Sequence, residues 1–267
     1  MNPPLQALVH RLSAAQADGT TLPAAGLPGL EALQTLDDAE KVQDALLRKL
    51  GWAPASWKLG ASTYGAQRAL GLRRAFLAPL PAARTLAAPA RLALQVLRQR
   101  GVECELAVSL RAPVAEERGL LQQAPSSESL ALAASLALSC HSAIEIPQTR
   151  FATLGDAGPL ALVADNGAAG WVVVGPAGDM QALHGPCRGV LEIDGRAVAE
   201  GRDTAFVMDP LRLLQQFLHQ AVQRALLPTG ATTVLLGSVT PYHPVHAACR
   251  VVARFDGLPA AELTLQD

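Results

Sequence analysis

The chain has 267 residues, of which 50% are hydrophobic and 17% charged, and its formal net charge is −1. So much apolar material excludes an intrinsically disordered chain, and the balanced charge argues against nucleic-acid binding, which needs an excess of cations. The N-terminus lacks a charged segment followed by an apolar one, and no segment reaches the roughly 20 apolar residues that span a bilayer. We therefore expect no nucleic-acid partner, no membrane insertion and a cytoplasmic location.

Helices are predicted in the first part of the sequence. Apolar residues recur at helical spacing over residues 5–12 and again over residues 42–50. Asp37 or Asp38 is expected to cap the second helix, and Gly51 is expected to end it.

Strand patterns become dominant further along the chain. A short strand is predicted at residues 56–60, and a further helix at residues 64–72. Residues 77–91 are rich in proline and alanine, which predicts a connector. Residues 102–110 then alternate between apolar and polar or small side chains, the period of a β-strand.

Two long helices interrupt the strands of the second half. Ser126 or Ser127 is expected to cap the first of them, and Asp209, followed by a proline, the second. The pair Asp194-Gly195 predicts a hairpin turn of type I′.

This order of elements predicts an α+β fold. A helical N-terminal part comprises residues 1–85, and a mixed, β-rich domain comprises residues 86–267. The four cysteines, Cys104, Cys140, Cys187 and Cys249, lack the spacing of a zinc site and are expected to be small buried thiols in a reducing compartment.

Three glutamates carry the most informative chemical pattern. Glu103 and Glu105 project from the same face of a strand, roughly 6–7 Å apart along it, so their charges repel. Glu145 lies between two isoleucines in a second alternating segment and points away from their apolar face. A divalent cation with hard oxygen ligands, such as Mg²⁺ or Mn²⁺, would relieve the repulsion. The alternative is that these acids lie on the solvated face of an antiparallel sheet.

Several segments, in the same order and at similar spacing, resemble the 2-keto-4-pentenoate hydratase and 2-oxo-3-hexenedioate (4-oxalocrotonate) decarboxylase family. This family belongs to the fumarylacetoacetate hydrolase superfamily. The resemblance extends over residues 40–245, and its segments are SWKLGAST, VECELAVSL, SAIEIPQTRF, VADNGAAGWVVVGP, DGRAVAEGRDTAFVMDPLRLLQQFL and TVLLGSVTP.

The resemblance implies a fumarylacetoacetate-hydrolase-like fold, a homo-oligomer and a lyase of aromatic catabolism. The expected reaction is the addition of water to a 2-oxopent-4-enoate-like 2-oxo acid. Mg²⁺ or Mn²⁺, held by Glu103, Glu105 and Glu145, would chelate the acid and stabilise its enolate. The first alternative is a 2-oxo-3-hexenedioate decarboxylase.

The resemblance also implies roles for five further residues. Lys58 would bind substrate and stabilise the enolate oxygen or move a proton, unless it is a solvated surface lysine. Asp165 is assigned to catalysis and Asn166 to substrate binding, with capping of a turn as the alternative for both. Gly237 and Ser238 would place backbone N–H groups near the substrate, unless the glycine only makes a turn.

The sequence departs from the family at two positions that matter for proton transfer. No acid occurs in residues 72–77, where family hydratases carry one, and Ala168 replaces a frequent serine. Arg73 or Arg74 could instead bind a second substrate carboxylate, and the alternative is that both are solvated at the surface. These departures leave a catalytically weak structural homologue as a further alternative.

Overall fold

The computed structural model describes residues 1–184, 188–202 and 209–267. Cys187 and residues 203–208 of the segment DGRAVAEGRDTAFVMDPLRLLQQFL lie outside the described residues. Within the described ranges the chain forms seven α-helices and two β-sheets, and none of these helices has the length and hydropathy to cross a bilayer.

The helices are α1 (Pro3–Asp18), α2 (Leu36–Leu50), α3 (Tyr64–Leu70), α4 (Ala115–Gln122), α5 (Ser127–Leu136), α6 (Gly158–Ala164) and α7 (Pro210–Gln223). The strands are β1 (Pro54–Gly60), β2 (Phe76–Pro81), β3 (Thr85–Ala87), β4 (Ala90–Ala93), β5 (Gly101–Leu110), β6 (Ala137–Ile146), β7 (Trp171–Val174), β8 (Arg188–Ile193), β9 (Arg196–Arg202), β10 (Thr232–Ser238), β11 (His243–Pro244), β12 (Cys249–Phe255) and β13 (Ala261–Gln266).

Most predicted helix boundaries are confirmed, with one correction. Ser126 caps α5 and Asp209 caps α7, while Gly51 ends α2 in the left-handed conformation. The cap of α2 is Thr35 rather than Asp37 or Asp38. Its hydroxyl accepts the Asp38 N–H, and the Asp38 carboxylate accepts the Thr35 N–H, which is a capping box.

The larger sheet has eight strands, with seven in the order β2-β1-β10-β5-β6-β7-β3, and β11 pairs with the end of β5. The predicted connector at residues 77–91 is wrong, because it contains β3, part of β4 and most of β2. The prolines of this segment indicated a connector, but β2 lies at the edge of the sheet. Pro79 and Pro81 are tolerated there, because an edge strand needs ladder hydrogen bonds on one side only. Strands from both sides of residue 85 join this sheet, and the predicted domain boundary there stays a prediction.

The smaller sheet has the order β4-β13-β12-β8-β9. Asp194 and Gly195, both with positive φ, make the predicted turn between β8 and β9. The main core contains buried residues of this sheet, of one face of the larger sheet and of α7, where Trp57 meets Phe217 edge to face at 5.6 Å.

The opposite face of the larger sheet carries smaller side chains. Ala107 and Ala143, fully buried, belong to a separate apolar cluster on this face. Helices α1, α2 and α6 form a third cluster, which includes Phe76 of β2. The glutamate face of β5 is therefore covered by protein rather than solvated.

Candidate metal centre and substrate cavity

The three glutamates meet on adjacent strands. β5 and β6 pair antiparallel with Glu103 directly opposite Glu145, and Glu105 follows on the same face of β5. One carboxylate oxygen from each residue lies within 4.8 Å of the other two. Glu105 is 1% exposed and Glu145 is completely buried, so the alternative of a solvated acidic face is wrong.

Lys58 belongs to this cluster. β1 carries it into the same interior, where its Nζ donates to Oε1 of Glu145 at 2.6 Å. The residue is 7% exposed, which contradicts the alternative of a solvated surface lysine.

Burial and mutual repulsion perturb the ionisation of this cluster. Burial, followed by the charge of Glu145, raises the pKa of Glu103 to about 8 and that of Glu105 well above its usual range. Burial alone would lower the pKa of Lys58, but the three carboxylates outweigh it and raise that pKa. If all three glutamates were ionised, their charge would exceed that of the one ammonium beside them, so their full ionisation is unfavourable without a further cation.

The donor set fits a hard divalent cation. Oε2 of Glu145 is buried without a hydrogen-bond partner within the described chain, an arrangement that is unfavourable unless something else satisfies this oxygen. Carboxylate oxygens from three residues are the ligands that Mg²⁺ and Mn²⁺ prefer, and a dication would offset the surplus charge. Glu103, Glu105 and Glu145 could therefore hold such a cation.

A cavity of about 460 Å³ opens from this cluster. Lys58 and the three glutamates contribute the charged part of its wall. Apolar side chains line much of the remainder, namely Ala66, Leu70, Phe76, Leu154 and Leu162. This is the size and character of a site for a small organic acid with an apolar portion.

Of the two residues expected to place N–H groups near the substrate, Ser238 lines the cavity and Gly237 does not. The Gly237 N–H donates to Oε2 of Glu105 at 3.1 Å, so it positions a carboxylate instead of pointing at a ligand. With φ of 113° and the Ser62 hydroxyl where a Cβ would lie, this position requires glycine. Ser238 lines the cavity, and its hydroxyl donates to the Thr240 carbonyl at 2.5 Å.

The structure does not bring Asp165 into the cavity. Its carboxylate is completely buried and accepts from Arg150 Nη1 at 2.7 Å and from the Thr149 hydroxyl at 2.5 Å. These contacts favour a structural role, and the catalytic role stays a prediction.

Asn166 also turns away from the cavity. Its side chain accepts from Gln43 at 2.9 Å and donates to the Pro79 carbonyl at 2.9 Å. The next two residues, Gly167 and Ala168, do line the cavity. Asn166 thus holds the segment that forms the wall, and its direct binding of substrate stays a prediction.

Neither arginine considered for a second substrate carboxylate lies in the cavity wall. Arg74 binds Glu40 through both terminal nitrogens, at 2.9 and 2.8 Å, and Arg73 is exposed. Lys58 is the one cationic side chain among the described residues that line the cavity.

Sequence reasoning missed two hydroxyl groups of this cavity. Ser62 follows β1, and Tyr242 follows β10; both line the cavity. The sequence signal for Ser62 was its position within SWKLGAST. The signal for Tyr242 was its rarity, because the chain has only two tyrosines, and its position four residues after Ser238.

The chain has an α+β, fumarylacetoacetate-hydrolase-like fold. A solved structure of 4-oxalocrotonate decarboxylase from Pseudomonas putida G7, complexed with magnesium and adipate, is similar with a TM-score of 0.81 and 18% identity, over 98% of this chain and 97% of that one. Fumarylpyruvate hydrolase from Pseudomonas aeruginosa, with Mn²⁺ and pyruvate, has a TM-score of 0.57 and 15% identity, over 79% of this chain and 89% of the other. A 2-hydroxyhepta-2,4-diene-1,7-dioate isomerase from Mycobacterium marinum has a TM-score of 0.55 and 13% identity, over 80% and 75% of the two chains. Comparisons with protein-family models and with curated protein sequences gave no match.

Proposed function

We propose that this protein is a divalent-metal-dependent lyase that acts on a small 2-oxo acid, with Glu103, Glu105 and Glu145 as the ligands of Mg²⁺ or Mn²⁺. The observation that carries the proposal is the buried cluster of three carboxylates, one with an unpartnered oxygen, at a cavity of about 460 Å³. The similar structures with magnesium and with Mn²⁺ and pyruvate support it.

The chain's own residues would do the following. Lys58 would offer the positive charge of its ammonium where an enolate oxygen develops. The apolar wall around Phe76 and Leu162 would pack against the hydrocarbon part of the substrate. When bound, the metal would supply Lewis acidity to the 2-oxo acid.

We propose water addition to a 2-oxopent-4-enoate-like acid as the reaction. The charge inventory of the cavity supports a monocarboxylic substrate, since Lys58 is already bound to Glu145 and the described wall offers no second cation for a distal carboxylate. The apolar wall suits an uncharged alkenyl end. A homo-oligomer and a cytoplasmic location belong to the same proposal.

Decarboxylation of 2-oxo-3-hexenedioate is the second candidate. The similarity to a 4-oxalocrotonate decarboxylase over 98% of this chain favours it. The third candidate is a catalytically weak homologue. It is favoured because, among the described lining residues, the three proposed metal ligands are the only carboxylates, which leaves no further carboxylic acid to transfer a proton.

One comparison of products separates the three. The purified protein is incubated with Mg²⁺ or Mn²⁺ and either 2-oxopent-4-enoate or 2-oxo-3-hexenedioate, and both the hydrated product and released CO₂ are measured. We expect hydration of the monocarboxylic acid. Release of CO₂ from the dicarboxylic acid without hydration of the other would establish the second candidate. Metal binding without turnover of either would establish the third.

A further inference from the structure

Tyr242 lies beside the candidate metal centre, and its hydroxyl is available as a hydrogen-bond donor. It lines the cavity and is half-buried, and within the described part of the chain its hydroxyl makes no hydrogen bond. Other polar groups of the wall have partners: Lys58 binds Glu145, and the Ser238 hydroxyl binds the Thr240 carbonyl. Among the described residues the Ser62 hydroxyl also lacks a hydrogen bond, but it lies against Gly237, at the Glu105 side of the cluster.

The position of Tyr242 is fixed by pairing with the strand that carries the glutamates. β11 pairs with β5 so that His243 lies opposite Val102, which places the preceding residue, Tyr242, beside Glu103. Hydrogen bonds from Val239 N to Cys104 O at 3.0 Å and from Val245 N to Arg100 O at 2.9 Å hold the segment at both ends.

Gly101 places the phenol ring on the face of β5 that carries the glutamates. A Cβ at Gly101 would overlap Cζ and the hydroxyl oxygen of Tyr242, so the phenol occupies the space of a side chain at that position. Residues 101, 103 and 105 project to the same face. The Tyr242 hydroxyl therefore lies on the same face of β5 as Glu103 and Glu105, at the position next to Glu103 where the side chain of residue 101 would lie.

The chemistry of this hydroxyl is that of a neutral donor. A phenol has an ordinary pKa of about 10, so it is protonated at neutral pH and its O–H is available as a donor. A protonated phenol beside a cluster that would hold a cation can donate to a bound anion but cannot repel it.

We propose that the Tyr242 hydroxyl donates a hydrogen bond to the carboxylate of the bound 2-oxo acid. This inference rests on the proposed function. It assigns to Tyr242 the recognition of the acid group, as distinct from the binding of the metal by the glutamates.

The test is calorimetric titration of wild-type protein and the Tyr242→Phe variant, first with Mg²⁺ and then, at saturating Mg²⁺, with oxalate and with pyruvate. Loss of a hydrogen bond to a charged group predicts about tenfold weaker binding or more for both acids, with unchanged Mg²⁺ affinity. The matched control is Tyr64→Phe: Tyr64, the chain's other tyrosine, is 74% exposed and is absent from the cavity wall.

The outcomes are distinguishable. Wild-type affinity of Tyr242→Phe for both acids would overturn the inference and leave the proposed function standing. A matching loss of Mg²⁺ affinity would also overturn it, because the tyrosine would then act through Glu103. If wild-type protein bound no Mg²⁺, or bound neither acid in its presence, the proposed function and this inference would both fail.

Discussion

Replacing Glu105 by glutamine tests the metal centre with little change of shape. Glutamine keeps the length of the side chain and an oxygen that can accept the Gly237 N–H, now 3.1 Å from Oε2 of Glu105. It removes one of the three carboxyl groups of a buried cluster in which Lys58 is the one cationic side chain among the described residues that line the cavity. Because burial and Glu145 make the ionisation of Glu105 unfavourable without metal, we expect the metal-free variant to be at least as stable as metal-free wild type.

The difference appears when metal is added. A ligand at 100 times its dissociation constant stabilises the folded state by about 2.7 kcal/mol, which raises the Tm of a chain of this size by roughly 5–10 °C. At the same Mg²⁺ concentration the Glu105→Gln variant, with only Glu103 and Glu145 as charged ligands, should gain less than about 1 kcal/mol. Its Tm should therefore move by no more than roughly 4 °C.

Thermal unfolding with EDTA and with Mg²⁺, together with calorimetry, measures both parts. Glu192→Gln is the matched control, because Glu192 lies on β8 of the other sheet and pairs with Arg254 at 3.0 Å. The control should keep the full Mg²⁺ shift. An equal Mg²⁺ shift in Glu105→Gln and wild type would refute the assignment of the metal ligands.

Three further outcomes follow from the same geometry. In metal-free protein the raised pKa values of Glu103, about 8, and Glu105 mean that the folded state holds protons that the unfolded chain releases near pH 4.5. The free energy of unfolding should thus fall as the pH rises from about 5 to 8, by at most about 1.4 kcal/mol per pH unit for each group. Thermal unfolding in EDTA at several pH values measures this change. A Tm that rises over this pH range would contradict the prediction. Lys58→Met should retain Mg²⁺ binding in calorimetry while turnover falls by about 10²–10⁴-fold, and turnover within threefold of wild type would exclude a catalytic lysine. Asp165→Asn should lose about 3–5 kcal/mol of stability, because it leaves the charge of Arg150 buried without its carboxylate, yet keep kcat where it is folded. An unchanged Tm with a large loss of kcat would instead support the catalytic role first assigned to Asp165.

The periodicity of one strand predicts two of the three glutamates of the candidate metal centre on one face, and strand pairing adds the third. The alternation of β5 places Glu103 and Glu105 on one face, a property of the strand alone. That Glu145 lies opposite Glu103 depends on the register of β5 with β6, which the pattern of either strand leaves open. The resemblance to a family joined the three glutamates where periodicity could not.

Sequence reasoning is weakest where a distant partner decides the outcome. The amide of Asn166, a residue predicted to bind substrate, meets Gln43, which lies 123 residues earlier in the chain, and the predicted role stays a prediction. The prolines of residues 77–91 indicated a connector, although an edge strand tolerates them. Tyr242 could be placed only through the pairing of β11 with β5.

The two departures from the family pattern have the same physical effect on the cavity. Ala168 presents a methyl group where a hydroxyl is frequent, and Phe76 is the residue of the acid-free segment 72–77 that lines the wall. Both changes make this wall more apolar, while Lys58 and the glutamates are brought together as the proposed metal centre requires. Hydration needs a group that delivers a proton as well as a bound water. The described wall holds no carboxylic acid besides the proposed metal ligands, so that proton must pass through Lys58, a hydroxyl such as Ser62, or water. The Lys58→Met variant therefore tests whether Lys58 is needed for the hydration that we propose.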